Sequence, residues 1–161
     1  MDPSSPQQIS RIDINGEQIL DEDEYQEILS PFLFKDYETN IQDSIASYLH
    51  LLWNDNGLFD AAVKGISKEE TSDTSLISLN ISINEGNAYT VNNINYTLPG
   101  TIDSTLIKNK FRFVEGSRFN RIQIEEIFDE ILTVYENSGF PFFKIKIASF
   151  FTYKNEEDHF V

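Results

Sequence analysis

The sequence predicts an α+β fold built from two tandem β-α-α-β-β units, each a three-stranded sheet covered on one face by two helices. Three observations predict it. Two helix ends of the same form, Trp53-Asn54-Asp55-Asn56-Gly57-Leu58 and Tyr135-Glu136-Asn137-Ser138-Gly139-Phe140, place their glycines 82 positions apart. Sliding the chain by that interval brings flanking apolar positions into register without a gap. Ile12 and Ile14 fall on Ile94 and Tyr96, Leu29 on Phe111, Ile45 and Leu49 on Ile127 and Ile131, and Val63 on Ile145. Self-similarity at a fixed interval marks repeated units. Within each copy the apolar period changes from two to three-and-four and back to two, the pattern of strand, helix and strand.

The elements follow in order. Met1–Gln8 is polar, with two prolines and no basic or apolar leader region, and reads as a linker or tail. Ile12 and Ile14 alternate with polar residues, as do Ile94, Tyr96 and Leu98, giving a half-buried strand at the head of each copy. Ile9 and Val91 are out of phase by one, which predicts a bulge where the strand begins. An acidic helix start comes next, Asp21-Glu22-Asp23-Glu24 in one copy and Asp103 in the other, where carboxylates meet free amides and the positive end of the dipole. Pro31 and Gly116 mark breaks.

Ile41, Ile45, Leu49, Leu52 and Trp53, and in the other copy Ile124, Ile127, Phe128, Ile131 and Tyr135, set one apolar face on a longer helix. Trp53 and Tyr135 belong to the core by this register. Gly57 and Gly139 stand where a left-handed cap stops that helix. A second strand is expected over Phe59, Ala61 and Val63, and over Phe143, Ile145 and Ile147. A polar turn is expected over 67–75, and then a third strand over Ile77, Leu79, Ile81 and Ile83. In the second copy that third strand maps from about Asp158 onward, so this unit is expected to be incomplete in its last strand and the chain to be excised from a longer protein. The domain reading is therefore a tail over 1–8, a first unit over 9–86 and a second over 87–161.

Composition narrows the function. The 161 residues are 40% hydrophobic, 24% charged and 13% aromatic, too aromatic for a disordered chain. The net charge of −15 argues against nucleic acid and anionic lipid heads as direct partners. No apolar run approaches the roughly 20 residues of a membrane helix. Without cysteine there is no thiolate chemistry or disulfide, and two histidines leave little for a zinc site. Asp21–Glu24 has no loop glycine or spaced ligand set for calcium and reads as a solvated helix start. No nucleophile elbow, phosphate loop or metal-ligand spacing occurs, so catalytic residues, metals and cofactors are all expected to be none.

Two stretches carry a family resemblance. Asn56-Gly57-Leu58-Phe59-Asp60-Ala61-Ala62-Val63 resembles the passage from helix end into second strand of the POTRA (polypeptide-transport-associated) domain. Ile83-Asn84-Glu85-Gly86-Asn87-Ala88-Tyr89-Thr90-Val91-Asn92-Asn93-Ile94 resembles the joint between consecutive POTRA units. Phe119-Asn120 matches the hydrophobic-polar pair that opens the family's long helix. The resemblance spans residues 9–161 and departs from the pattern at Pro141, which removes a ladder donor.

The resemblance implies location and role. Such tandems are periplasmic, lie N-terminal to an outer-membrane barrel of the β-barrel assembly and two-partner secretion superfamily, receive unfolded outer-membrane proteins and dock accessory envelope proteins. It implies that the second strand is a sheet edge, so Ala61, Val63, Lys64, Phe143, Ile145 and Ile147 are the candidate partner-binding residues, acting by β-augmentation. Glu85, Gly86, Asn87 and Tyr89 are the candidate inter-unit joint. In the alternative, the strands only close the core, with Lys64, Lys144 and Lys146 guarding their edges, and the chain is a rigid periplasmic spacer. A small α+β enzyme is the alternative of another class, and the sequence offers it no convergent polar residues.

Overall fold

Alternating isoleucines open the first unit as β1 (Gln8–Asn15), whose Ile9, Ile12 and Ile14 are buried. The computed structural model describes residues 6–16, 18–98, 104–155 and 158–161. Met1–Asn54 with Leu58–Asn87 form one compact unit, and Asp55–Gly57 with Ala88–Val161 another. Residues 1–5 of the expected tail and the expected helix-start Asp103 lie outside the described residues.

In the first unit α1 (Glu22–Leu29) begins at Asp21, whose extended backbone N–H donates to Glu24 Oε2 at 2.9 Å. A 3-10 turn over Ser30–Phe32 holds Pro31 near its start, where a missing N–H costs nothing. The longer helix α2 (Ile41–Asp55) buries Ile41, Ile45, Leu49 and Trp53 along one face. β2 (Ala62–Glu70) and β3 (Leu76–Asn84) follow, and the sheet order is β1-β3-β2. β1 runs parallel to β3 with Ile12 opposite Leu79 and Ile14 opposite Ile81. The register shifts between Ile9 and Arg11, so Ser10 is the expected bulge and Ile9 rejoins the buried face opposite Ile77.

β2 differs from its expected extent. Phe59 and Ala61 precede it, and the strand continues through Ser67-Lys68-Glu69-Glu70, where a polar turn was expected. These residues pair with Asn80, Leu79, Ser78 and Ile77. An antiparallel ladder is made by the backbone, so a strand whose outer side chains are solvated can be wholly polar and look like a turn. A second register shift between Val63 and Gly65 makes Lys64 a bulged residue, which no local side-chain pattern signals.

The second unit holds α3 (Ser104–Phe111) and α4 (Arg121–Asn137). Asn120 caps α4 by accepting from the Gln123 N–H at 3.0 Å. Ile107, Phe111, Ile131 and Tyr135 form its core cluster, onto which Ile94, Leu98, Phe143 and Ile145 pack. This unit is expected to be incomplete in its last strand, and among the described residues its first and second strands are not formed either. Residues 91–98 and 143–147 are not strands among the described residues. Instead β4 (Tyr153–Lys154) pairs antiparallel with β5 (His159–Phe160), and Thr90 bridges Phe160 in parallel. The apolar alternation places side chains on the helices, but a strand exists only where a neighbouring backbone completes the ladder. β5 is two residues long and supplies little, and Pro141 brings no donor.

Candidate protein-interaction surface

Sheet order decides which backbone is open. β3 has partners on both sides, so β1 and β2 are the edges. The outer side of β1 is partly occupied: Phe34 N–H donates to Ile9 O (2.7 Å), Ile9 N–H to Lys35 O (3.0 Å) and Tyr37 N–H to Gln7 O (2.7 Å). The Gln26 amide also reaches Ile12 O at 3.4 Å. Beyond β3, no described residue gives β2 a further backbone partner. Its first half carries the half-buried Ala62, Val63 and Ile66, with Lys64 and Gly65 exposed at the bulge. The second half exposes Ser67, Lys68, Glu69 and Glu70. A bulge and charged side chains are devices that discourage indiscriminate edge pairing.

The other candidates scatter. Ala61 is buried and lies just before β2. Phe143 and Ile145 are not edge-strand residues but rest on the α3–α4 cluster, Phe143 with its ring 4.3 Å from that of Tyr135. Ile147, also outside any strand, is 62% exposed. Among the described residues Phe143–Ile147 borders no ladder.

Glu85 is the largest surprise among the joint residues. It is 2% exposed and belongs to the first unit. Its carboxylate accepts from the Ile19 and Leu20 backbone N–H groups and from the Tyr25 hydroxyl, which itself accepts from Trp53 Nε1 at 2.9 Å. Burial first, and then the hydrogen bond to Glu85, hold the Tyr25 hydroxyl pKa well above the usual tyrosine range. This network ties the end of β3 to the β1–α1 loop, to α1 and to α2. Spacing alone could not reveal it, since the partners lie 60 to 66 residues from Glu85 in sequence.

Gly86 has φ +66 and donates its N–H to Asn84 Oδ1 at 2.8 Å. Asn87 is exposed and is the last residue of the first unit. Tyr89 is buried in the second unit, where its N–H donates to Gly57 O (2.9 Å) and its carbonyl accepts from Phe119 N–H (2.8 Å). Asp55 receives two bonds from Arg121, at 2.5 and 3.0 Å, in the same unit. Among the described residues no group of acidic, histidine or cysteine side chains is arranged to hold a metal, and no helix is long and apolar enough to cross a membrane.

Residues 89–161 match the family model described as POTRA, surface antigen variable number repeat. Among solved structures, BamA from Haemophilus ducreyi lacking POTRA domains 1-3 is similar with a TM-score of 0.52 at 16% identity, covering 97% of this chain and 28% of its own. Haemophilus influenzae BamA POTRA3-5 is similar with a TM-score of 0.48 at 13% identity, over 96% of this chain and 59% of its own. The chain thus spans less than two thirds of either structure. No curated protein sequence matches it. The family model lies within the second unit, and the likeness to the Haemophilus ducreyi structure shows the fold.

Proposed function

We propose that this chain is a periplasmic protein-binding module of an outer-membrane protein assembly or translocation factor. It receives extended client chains by strand addition and docks accessory envelope proteins. The same reading takes 9–86 and 87–161 as two tandem POTRA units. The observation that carries it is the open backbone of β2 at the end of the β1-β3-β2 sheet. An unfolded outer-membrane protein presents alternating apolar residues in extended stretches. Main-chain hydrogen bonds to an edge accept such stretches with little regard to sequence, as a receptor for many clients requires. Ala62–Ile66 is the favoured segment, because the second half of β2 exposes charges. Val63 and Lys64 of the original candidates lie in it, and Ala61 adjoins it.

The test is an NMR titration of the chain with a peptide copied from a transmembrane strand of an outer-membrane protein. The amides of residues 62–66 should shift first. Shifts confined to α1 and α2 would overturn strand addition at this edge.

A further inference from the structure

Cations crowd into one stretch of the second unit. Residues 104–121 hold five of the chain's twelve lysines and arginines and a single carboxylate, Glu115, in a protein of net charge −15. Lys110 is paired with Glu130, and Arg121 with Asp55 and Glu125. Glu115 is turned to the Ile94 N–H, from which it accepts at 3.1 Å. Lys108 and Arg112 have no carboxylate partner among the described residues. These two lie one helical turn apart, because the Arg112 N–H donates to Lys108 O at 3.1 Å and carries the turn past the end of α3. Lys108, Arg112 and the adjoining Phe113 are exposed, while Ile107 and Phe111 of the same turn are buried in the core cluster. The negative end of the helix dipole accounts for cations at this place. It does not account for the phenyl ring of Phe113, 79% exposed beside them.

We infer that the C-terminal end of α3 is a docking surface for an acidic helix of a partner protein. Two carboxylates of that helix meet Lys108 and Arg112, and an apolar side chain between them covers Phe113. Lys108 and Arg112 are four residues apart, about 6 Å along the axis, and residues four apart on a second helix laid alongside repeat that interval. The Arg112 guanidinium offers a carboxylate two parallel bonds. Covering Phe113 removes apolar surface from water, so charge and burial favour the same partner. An anionic membrane is the poorer occupant, since an extended surface meets the field of the whole chain and its net charge of −15. A helix seated on one turn is governed by charges within the Debye length of about 8 Å, and there the patch is basic. The inference rests on the proposed reading of the chain as a module that docks accessory envelope proteins, and names the surface and the chemistry of such a partner.

The experiment titrates the whole 161-residue chain, followed by NMR, with a short alanine-based peptide held helical by a hydrocarbon staple. It carries two glutamates four residues apart and a leucine between them on the same face. The amides of 108–113 should shift, and exchanging both glutamates for glutamine should weaken binding about tenfold at low salt. Exchanging the leucine for serine should weaken it about threefold, and equal affinity would reduce the patch to charge attraction and overturn the inference. The Lys108→Glu, Arg112→Glu double variant alters only exposed side chains. It should lose the glutamate peptide and gain one with lysines at the same two positions, which shows that the variant is folded. An absence of shifts at 108–113 in the parent overturns the surface. Binding to phosphatidylglycerol vesicles that the double variant abolishes would assign the surface to a membrane and overturn the occupant. So would shifts at 108–113 that grow with protein concentration without peptide, which would assign it to a second copy. Shifts at 62–66 with a peptide from an outer-membrane strand, and none at 108–113 with the glutamate peptide, would leave strand addition at β2 standing and remove this surface. The converse pair of results would remove strand addition there and support this surface.

Discussion

The Tyr25 hydroxyl donates to the Glu85 carboxylate while accepting from the Trp53 indole, and both Tyr25 and Trp53 are fully buried. A carboxylate 2% exposed, with no cation bonded to it among the described residues, is held by three donors, two of them backbone amides. Buried polar groups are costly when one member of such a chain is lost. Tyr25→Phe strands the Trp53 N–H and removes one of the three donors. The first unit should lose about 2 kcal/mol in urea unfolding followed by Trp53 fluorescence. Glu85→Gln should cost a similar amount, because half of its amide is a donor facing donors. Variants as stable as the parent would show that the network contributes nothing.

The same hydroxyl sets an alkaline limit. Burial and the bond to Glu85 raise the Tyr25 pKa in the folded state, so folding favours the neutral phenol. The stability this provides is complete below the unfolded value of about 10 and is lost as pH rises through the higher folded value. The urea midpoint of the parent should therefore fall above pH 10 more steeply than that of Tyr25→Phe, and the gap between them should close. In the absorbance of ionised tyrosine at 295 nm, one residue should titrate after the others and be missing from the variant. A gap that widens with pH would contradict this account.

Phe34 adopts φ +61 and is 68% exposed, an unusual pairing for a bulky residue. The conformation lets its N–H reach Ile9 O while Lys35 O accepts from Ile9 N–H, so the turn needs the left-handed backbone but not the phenyl ring. Phe34→Gly relieves about 1–3 kcal/mol of local strain and gives back about 0.5–1 kcal/mol through the freer unfolded chain. A net gain of about 1 kcal/mol in urea unfolding is expected. Phe34→Val, β-branched at the same φ, should lose about 1 kcal/mol. Equal midpoints for all three would mean the turn carries no strain.

Much of this fold is legible in the sequence, and the failures share a cause. The bulge after Ile9, the caps at Gly57 and Gly139 and the burial of Trp53 and Tyr135 are local or periodic properties, written in side-chain type and spacing. The strand Ser67–Glu70 was hidden because its ladder is drawn from backbone and its side chains are polar. Phe143–Ile147 reads as a strand because its alternation is real, but among the described residues that alternation reports packing on the α3–α4 cluster and not a backbone ladder. Glu85 reads as a joint residue through the family resemblance alone, and its burial depends on three donors far away in sequence. Of the candidate interaction residues, only Val63 and Lys64 fall on the open edge, since edges are settled by sheet order and not by composition.

Two glycines of the second unit separate conformational strain from steric conflict. Gly57 and Gly116 have similar positive φ values, +72 and +82. A Cβ at Gly57 would lie 2.9 Å from Phe119 Cβ and 3.0 Å from Phe119 O, whereas one at Gly116 would meet nothing within 4 Å. Alanine at either position pays the left-handed penalty of about 1 kcal/mol. Only at Gly57 must a backbone carbonyl also move, and that carbonyl belongs to the residue whose N–H bonds Tyr89 O. Gly116→Ala should therefore cost about 1 kcal/mol and Gly57→Ala at least twice that, through added overpacking strain. The excess should appear in hydrogen exchange as faster exchange of the Tyr89 and Phe119 amides in Gly57→Ala and not in Gly116→Ala. Equal losses in the two variants would mean that the close approach of Gly57 to Phe119 relaxes freely and that the glycine is required for its dihedral angle alone.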